Sequence, residues 1–295
     1  MSRIPFLSSP VTGLLLVGLA TSMAGCAPAS APQEAASPSL GAPVATATPT
    51  PSAAASSPAT PSASGSASAA HEFAYEGAHG PAHWGSLNPA WETCATGTKQ
   101  SPVDLVRQKA EDLPSLSLDY AGGQMVLENT GHALQATVAQ PQTLVRGGQQ
   151  YKLVQFHLHT PSEHLVGSKP ADGELHLVHS DAKGRLLVLG VLITSGESSP
   201  QAWSWLSGQL PESPGVTRPG GQVDLRGMMP SDLAHSAYEG SLTTPPCTEG
   251  VQWVLLDEPV TLAAKDLERL EKLAGENARP AQPLNGRELE QDETP

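Results

Sequence analysis

The sequence predicts a β-dominated mixed α/β fold: one large sheet with a few short peripheral helices. Three observations carry this expectation. Several stretches read as strands by apolar alternation or by a short apolar run. Glycine and proline punctuate nearly every gap between them, and helix-type patterning is confined to two segments.

The chain begins with a different kind of segment. Residues 1–26 read as a lipoprotein-type secretion signal, with a single early positive charge at Arg3, the apolar run "VTGLLLVGLA", and small residues leading to Cys26 in "SMAGC". In that pattern cleavage falls before the cysteine, whose thiol takes lipid, and a second acylation at the new amino terminus makes the anchoring stable. Met23 stands where leucine is commoner, and the alternative is an ordinary secretory signal with an incidental Cys26. A spanning helix is disfavoured because the apolar run falls short of the ~20 residues a bilayer needs. The expected location is outside the cytoplasm, on a membrane and facing the periplasm or the cell exterior.

Residues 27–70 are almost wholly Ala, Pro, Ser and Thr, with Glu34 their only charge. Such a segment has too little apolar surface to offset the entropy of ordering, and it reads as a disordered tether. Residues 71–295 read as one domain, patterned to about Leu289. Apart from Arg3 and Glu34 every charge lies here, and the net charge of −13 argues against a nucleic-acid partner.

Within the domain, "QMVLENTGHALQATVA" holds two strands about an "ENTGH" turn. "KLVQFHLH", "GELHLVHSD", the apolar "RLLVLGVLIT" and "VQWVLLDEPV" follow as further strands. The helical stretches are "QAWSWLSGQL" and "AAKDLERLEKLAGEN". Of the 3 cysteines, Cys26 is assigned to lipid, which leaves Cys94 and Cys247 as a pair. In an exported chain a disulfide is the expected state, and closing a loop of that length stabilises the fold by roughly 4–5 kcal/mol on the chain-entropy model.

The chemistry concentrates in "KLVQFHLHTPSEH", which carries three of the chain's 10 histidines. On a strand the period of two puts His157 and His159 on one face, and two adjacent imidazoles suggest a metal. A third ligand would come from His164, His176 or His179. In "GELHLVHSD" Glu174 and His176 share a face while His179 takes the other, so spacing favours His176, with Glu174 placed to orient an imidazole. The blander reading of any single strand histidine is a hydrogen-bonded core or surface residue, and His164 and His179 are read that way.

Six blocks, "QSPVDL", "NTGHAL", "QFHLHTPSEH", "ELHLVH", "YEGSLTTPPC" and "RPAQPL", together resemble the α-class carbonic anhydrases in that family's own order, from about Tyr75 to Leu289. The resemblance implies a large twisted, mostly antiparallel central sheet and the zinc-dependent hydration of carbon dioxide to bicarbonate, with weak esterase activity at the same site. His157, His159 and His176 match the zinc ligands. Gln155 and Glu174 match residues that surround the ligands and hold their orientation, and the resemblance puts Tyr75 and Gln135 in the same surrounding layer. Thr243 matches the threonine that accepts a hydrogen bond from zinc-bound hydroxide, and Glu163 the glutamate to which that threonine donates. Thr244 matches a residue that positions bicarbonate, and His132 the histidine that shuttles the proton to buffer. Val178, Leu186, Val188, Leu242, Val251 and Trp253 match the apolar wall for carbon dioxide. Cys94 and Cys247 match the disulfide of exported bacterial members, and the resemblance allows a homodimer.

The chemistry explains the set. Three neutral imidazoles leave zinc a strong Lewis acid, which lowers the pKa of bound water to about 7, a value taken from carbonic anhydrases themselves. An imidazole titrating near neutrality then suits proton export. His79 and His83 are further candidates at the rim, and nothing in the sequence sets their direction. Phe73, Thr130 and Gln135 depart from the family's commoner residues, Arg279 is expected to hold the C-terminal segment, and the departures bear on proton transfer rather than on the reaction class. The competing function class is a non-catalytic binding module on the same fold. Silent relatives typically lack a ligand histidine, and all three are present here. A hydrolase of the His-Glu-x-x-His type is unsupported because that motif is absent.

Overall fold

The computed structural model describes residues 73–106 and 108–292. The secretion signal with Cys26 and the 27–70 tether lie outside the described residues. The strands are β1 (Lys109–Glu111), β2 (Leu116–Asp119), β3 (Gly123–Asn129), β4 (Leu134–Val138), β5 (Thr143–Arg146), β6 (Gln149–His159) and β7 (Leu165–Val166). They continue as β8 (Lys169–Pro170), β9 (Gly173–Ser180), β10 (Leu186–Gly196), β11 (Val216–Val223), β12 (His235–Ser241), β13 (Glu249–Ala263) and β14 (Glu290–Asp292). Helices α1 (Trp84–Leu87), α2 (Thr93–Thr96), α3 (Gln201–Ser207) and α4 (Ala264–Ala274) lie between or before them.

A 12-stranded sheet runs β1-β14-β12-β13-β10-β9-β6-β4-β3-β11, with β5 joining β6 and β2 joining β5. Among the described strands, β1 with β14 and β10 with β13 pair in parallel and the other strand pairs are antiparallel. The expected sheet, its mostly antiparallel order and the short helices are therefore present. β10 occupies the middle, so its continuous apolar run is buried on both faces.

Two apolar clusters lie on opposite faces of the sheet. The larger holds Leu175, Leu177, Leu187, Leu189 and Trp203, with Leu267 and Leu270 of α4. The smaller holds Val178, Val188, Tyr238, Val251 and Trp253. α4 ends at Gly275, whose φ of +70° is a backbone conformation that favours glycine. Cys94 and Cys247 form the expected disulfide, which ties α2 to the segment after β12 across 153 residues.

Both long helical stretches form where the sequence places them. The strands it did not reveal have a physical explanation. β11, "VTRPGGQV", is rich in turn-favouring residues, yet it is an edge strand of the sheet. Its Pro219 is tolerated there beside a bulge, because an edge strand leaves one row of N–H groups unpaired. β12, "HSAYEGS", is buried with almost no apolar character because serine, alanine and glycine let it pack closely.

His179 points to the larger cluster, where its Nε2 lies 2.7 Å from the Tyr120 hydroxyl. Burial holds its pKa down at about 4 against an ordinary 6.5, while the Leu177 and Leu187 carbonyls pull the other way. The unfolded chain thus binds a proton near pH 6.5 that the folded chain refuses until about pH 4, so stability is full above pH 6.5 and falls on acidification. The expected loss between pH 7 and 4.5 is about 2–3 kcal/mol from this residue. Urea unfolding of the native chain and of His179→Gln at the two pH values measures it; an equal pH dependence in both would contradict the assignment.

Candidate active site

The site is built on β6 and β9, which pair antiparallel with His157 opposite His176 and His159 opposite Glu174. A bulge at Val154 interrupts the ladder between Leu153 and Gln155. By plain alternation Leu153 would share the face of Gln155, His157 and His159. The bulge instead turns Leu153 toward the larger cluster and the other three toward the site. On the neighbouring strand Gln135 pairs with His157.

One nitrogen from each of His157, His159 and His176 lies within 4.8 Å of the others. The opposite nitrogens are committed. His157 Nδ1 is 2.8 Å from Gln155 Oε1, His159 Nδ1 is 2.7 Å from the Asn277 carbonyl, and His176 Nε2 is 2.9 Å from Glu174 Oε1. Each acceptor calls for a donated N–H, which leaves His157 Nε2, His159 Nε2 and His176 Nδ1 as bare lone pairs. His159 Nε2 is buried with no protein partner, and His176 Nε2 meets Glu174 Oε1 as a close contact off ideal hydrogen-bond geometry. Burial pushes the pKa of all three imidazoles down, that of His157 well below its ordinary value, so all three are neutral at pH 7. Three neutral nitrogens converging on one point fit a divalent metal of the zinc type with a position left open.

The second cluster of candidate ligands, His164, Glu174 and His176, is a hydrogen-bonded chain instead. His164 Nδ1 meets Glu174 Oε1 at 2.7 Å and its Nε2 meets the Tyr238 hydroxyl at 2.7 Å. Glu174 Oε2 accepts from the backbone N–H groups of Glu163 and His164 at 3.0 and 2.9 Å. Burial pushes the Glu174 pKa up, but the electrostatic pull and hydrogen bonding of the His164 and His176 rings outweigh it and hold the carboxylate well below the usual range.

Glu163 behaves differently. Burial raises its pKa to about 7, against the pull of His176, of the Arg279 N–H donated to Oε1 at 2.8 Å, and of the Thr243 hydroxyl. Its Oε2 lies 3.5 Å from His159 Nε2. Arg279 anchors its own segment as expected, donating to Gln100 Oε1, Ser101 O and Cys94 O, and its backbone also fixes Glu163.

Beside the three histidines opens a cavity of about 230 Å³. Gln155, Thr243 and Thr244 supply its polar lining, and Val178, Leu186, Val188, Leu242 and Trp253 its apolar wall. Val251, expected in that wall, packs in the smaller cluster without lining the cavity. Tyr75 sits edge-on to Trp84 and Phe73; burial, then the Glu163 charge, raises its hydroxyl pKa. It forms no described hydrogen bond to the three histidines. His132 lies on the turn after β3, stacked on Phe73 with ring centroids 4.1 Å apart. Thr130, expected to bear on solvent near His132, uses its hydroxyl to close that turn onto His132 N and Ala133 N.

Sequence reasoning missed two residues. Asn277 holds His159 through its carbonyl and, through its side chain, Thr160 N and the carbonyls of Leu158 and His132; it stands 118 residues from His159 in no recognisable motif. Gly190 pairs with His176, where a Cβ would come within 2.3 Å of Leu255 and 3.0 Å of Glu174 Oε1.

The profile of the family described as eukaryotic-type carbonic anhydrase matches residues 79–293. The carbonic anhydrase of Pectobacterium atrosepticum is 36% identical over 219 residues, covering 73% of this chain and 88% of that protein. Among solved structures, the α-carbonic anhydrase of Thermovibrio ammonificans, in complex with the inhibitor sulfanilamide, superposes with a TM-score of 0.71 at 36% identity over 74% of this chain and 98% of that one. The Photobacterium profundum α-carbonic anhydrase gives 0.70 at 38% identity, over 74% and 99%. The chain belongs to the α-class, eukaryotic-type carbonic anhydrase family, and is an enzyme of that family, whose reaction is the hydration of carbon dioxide.

A Gly190→Ala substitution should force Leu255 and Glu174 aside, with a loss of about 1–3 kcal/mol of stability. Its urea midpoint measures this, and a midpoint equal to that of the native chain would show that the packing gives way freely.

Proposed function

We propose that the chain hydrates carbon dioxide reversibly to bicarbonate and a proton at a zinc ion held by His157, His159 and His176. The observation that carries the reading is the trio of neutral imidazoles with converging lone pairs beside a cavity that is apolar on one side. Zinc bound there supplies a Lewis acid that makes water nucleophilic near neutral pH. The Thr243 hydroxyl donates a hydrogen bond to Glu163 and accepts one from the attacking water, which aims the water's lone pair at the substrate. Glu163 must be ionised for this, and the Arg279 N–H favours that form. Carbon dioxide, which is apolar, rests on the wall of Val178, Leu186, Val188, Leu242 and Trp253, and Thr244 positions bicarbonate. His132, at the turn tied to the site through Asn277, carries the released proton to buffer. The same nucleophile supports weak ester hydrolysis.

The sequence also supports export. A lipidated Cys26 and the 27–70 tether place the 71–295 domain at a membrane surface facing the periplasm or the exterior, in which case the Cys94–Cys247 bridge suits an oxidising compartment. Assembly as a homodimer is compatible with this reading.

Two variants test the roles. In stopped-flow carbon dioxide hydration, Thr243→Ala should lower kcat/KM roughly 100-fold with zinc retained. His132→Ala should lower kcat by roughly 10–100-fold, leave kcat/KM near its native value, and regain turnover when imidazole buffer is added. Native rates in either variant would remove that residue from the mechanism.

A further inference from the structure

Arg146, at the end of β5, stands apart from the other arginines. Among those whose side chains are described, it alone forms no hydrogen bond or ion pair with any described residue. Its Nε is fully buried, and burial pushes its pKa below the ordinary arginine value. A partly desolvated guanidinium without an acceptor is costly, and the cost is relieved when an anion arrives.

The side chain lines a cavity of about 390 Å³ over β12 and β13. The other charges there are already engaged. Lys99 donates to Glu239 at 2.9 Å, and Arg287 spends its guanidinium on the carbonyls of Leu284, Glu239, Gln100 and Pro283. Glu288 and Glu290 bear on Lys109, and the Glu290 charge also acts on Arg146, partly offsetting its burial without forming a hydrogen bond or ion pair to it. A second donor lies in the same cavity: the Tyr151 hydroxyl donates to Gln252 Oε1 at 3.4 Å, which leaves the Gln252 amide N–H groups without a described acceptor.

Gln252 pairs with Glu239, one step along the ladder from the Tyr238–Trp253 pair that packs beside the active-site cavity. Alternation therefore turns Gln252 to the opposite face, and Trp253 alone lines both cavities. A guanidinium fork matches a planar carboxylate-type oxyanion bidentately. The three glutamates of the cavity favour a monoanion over a more highly charged ligand.

We propose that this cavity is a binding site for a small planar monoanion of the carboxylate type, bicarbonate included, held by the Arg146 guanidinium and the Gln252 amide. The site is separate from the catalytic one and does not rest on the reading given for it.

The test uses the full chain labelled with ¹⁵N-arginine, the Arg146 Nε–H signal being assigned by its loss in Arg146→Lys. Sodium bicarbonate, sodium acetate and sodium chloride are titrated at constant pH and ionic strength. The signal should shift saturably with bicarbonate or with both bicarbonate and acetate but not with chloride, and Gln252→Leu should weaken the response at least tenfold. Saturation by bicarbonate alone assigns the site to that ion, and saturation by both assigns it to carboxylates generally. A response no larger than that to chloride, or one unchanged in Gln252→Leu, overturns the proposal.

Discussion

Antiparallel pairing of β6 with β9, in the register that sets His157 against His176, is the constraint on which the rest of the site depends. β9 is buried along nearly its whole length. It sends Leu175, Leu177 and His179 to the larger apolar cluster, and Glu174, His176 and Val178 to the other face. A slip of one residue would drive a carboxylate and an imidazole into hydrocarbon and two leucines into the polar site. Each buried polar group left without a partner costs about 1–3 kcal/mol, so core packing and the placement of the donor nitrogens are enforced together.

Around that register the polar groups orient one another. A buried carboxylate at Glu174 is tolerable because two imidazoles and two backbone N–H groups point at it. Its partners thereby acquire defined orientations: His176 turns one nitrogen outward to Glu174 and the other inward, and His164 relays the chain to Tyr238. Asn277 does the corresponding work for His159 and carries the connection on to the His132 turn. The imidazoles stay neutral because burial disfavours their charged forms, and neutrality is what a metal ligand requires.

Much of this was legible in the sequence because it is local. The His-x-His spacing, Glu174 two residues before His176, the strong apolar run of β10 and the helix of α4 all express periods of two or 3.6 that survive without tertiary information. What was not legible is long-range or contrary to propensity. Plain alternation puts His157 and His159 on one face but does not reveal the bulge at Val154 that turns Leu153 away from them. Asn277 acts through a backbone carbonyl, which any residue possesses. β11 hides behind Pro219 and two glycines that only an edge strand accepts. Val251, placed in the wall by the family resemblance, packs in the smaller cluster without lining the cavity.

The proposed metal-dependent hydration of carbon dioxide rests on the three neutral imidazoles. The most direct measurement is stopped-flow hydration by the purified full-length chain together with its zinc content, before and after removal of metal with dipicolinate and after zinc is restored. The account predicts stoichiometric zinc, and activity that vanishes with the metal and returns with it. Stoichiometric zinc without hydration, or hydration that survives complete removal of the metal, would contradict it.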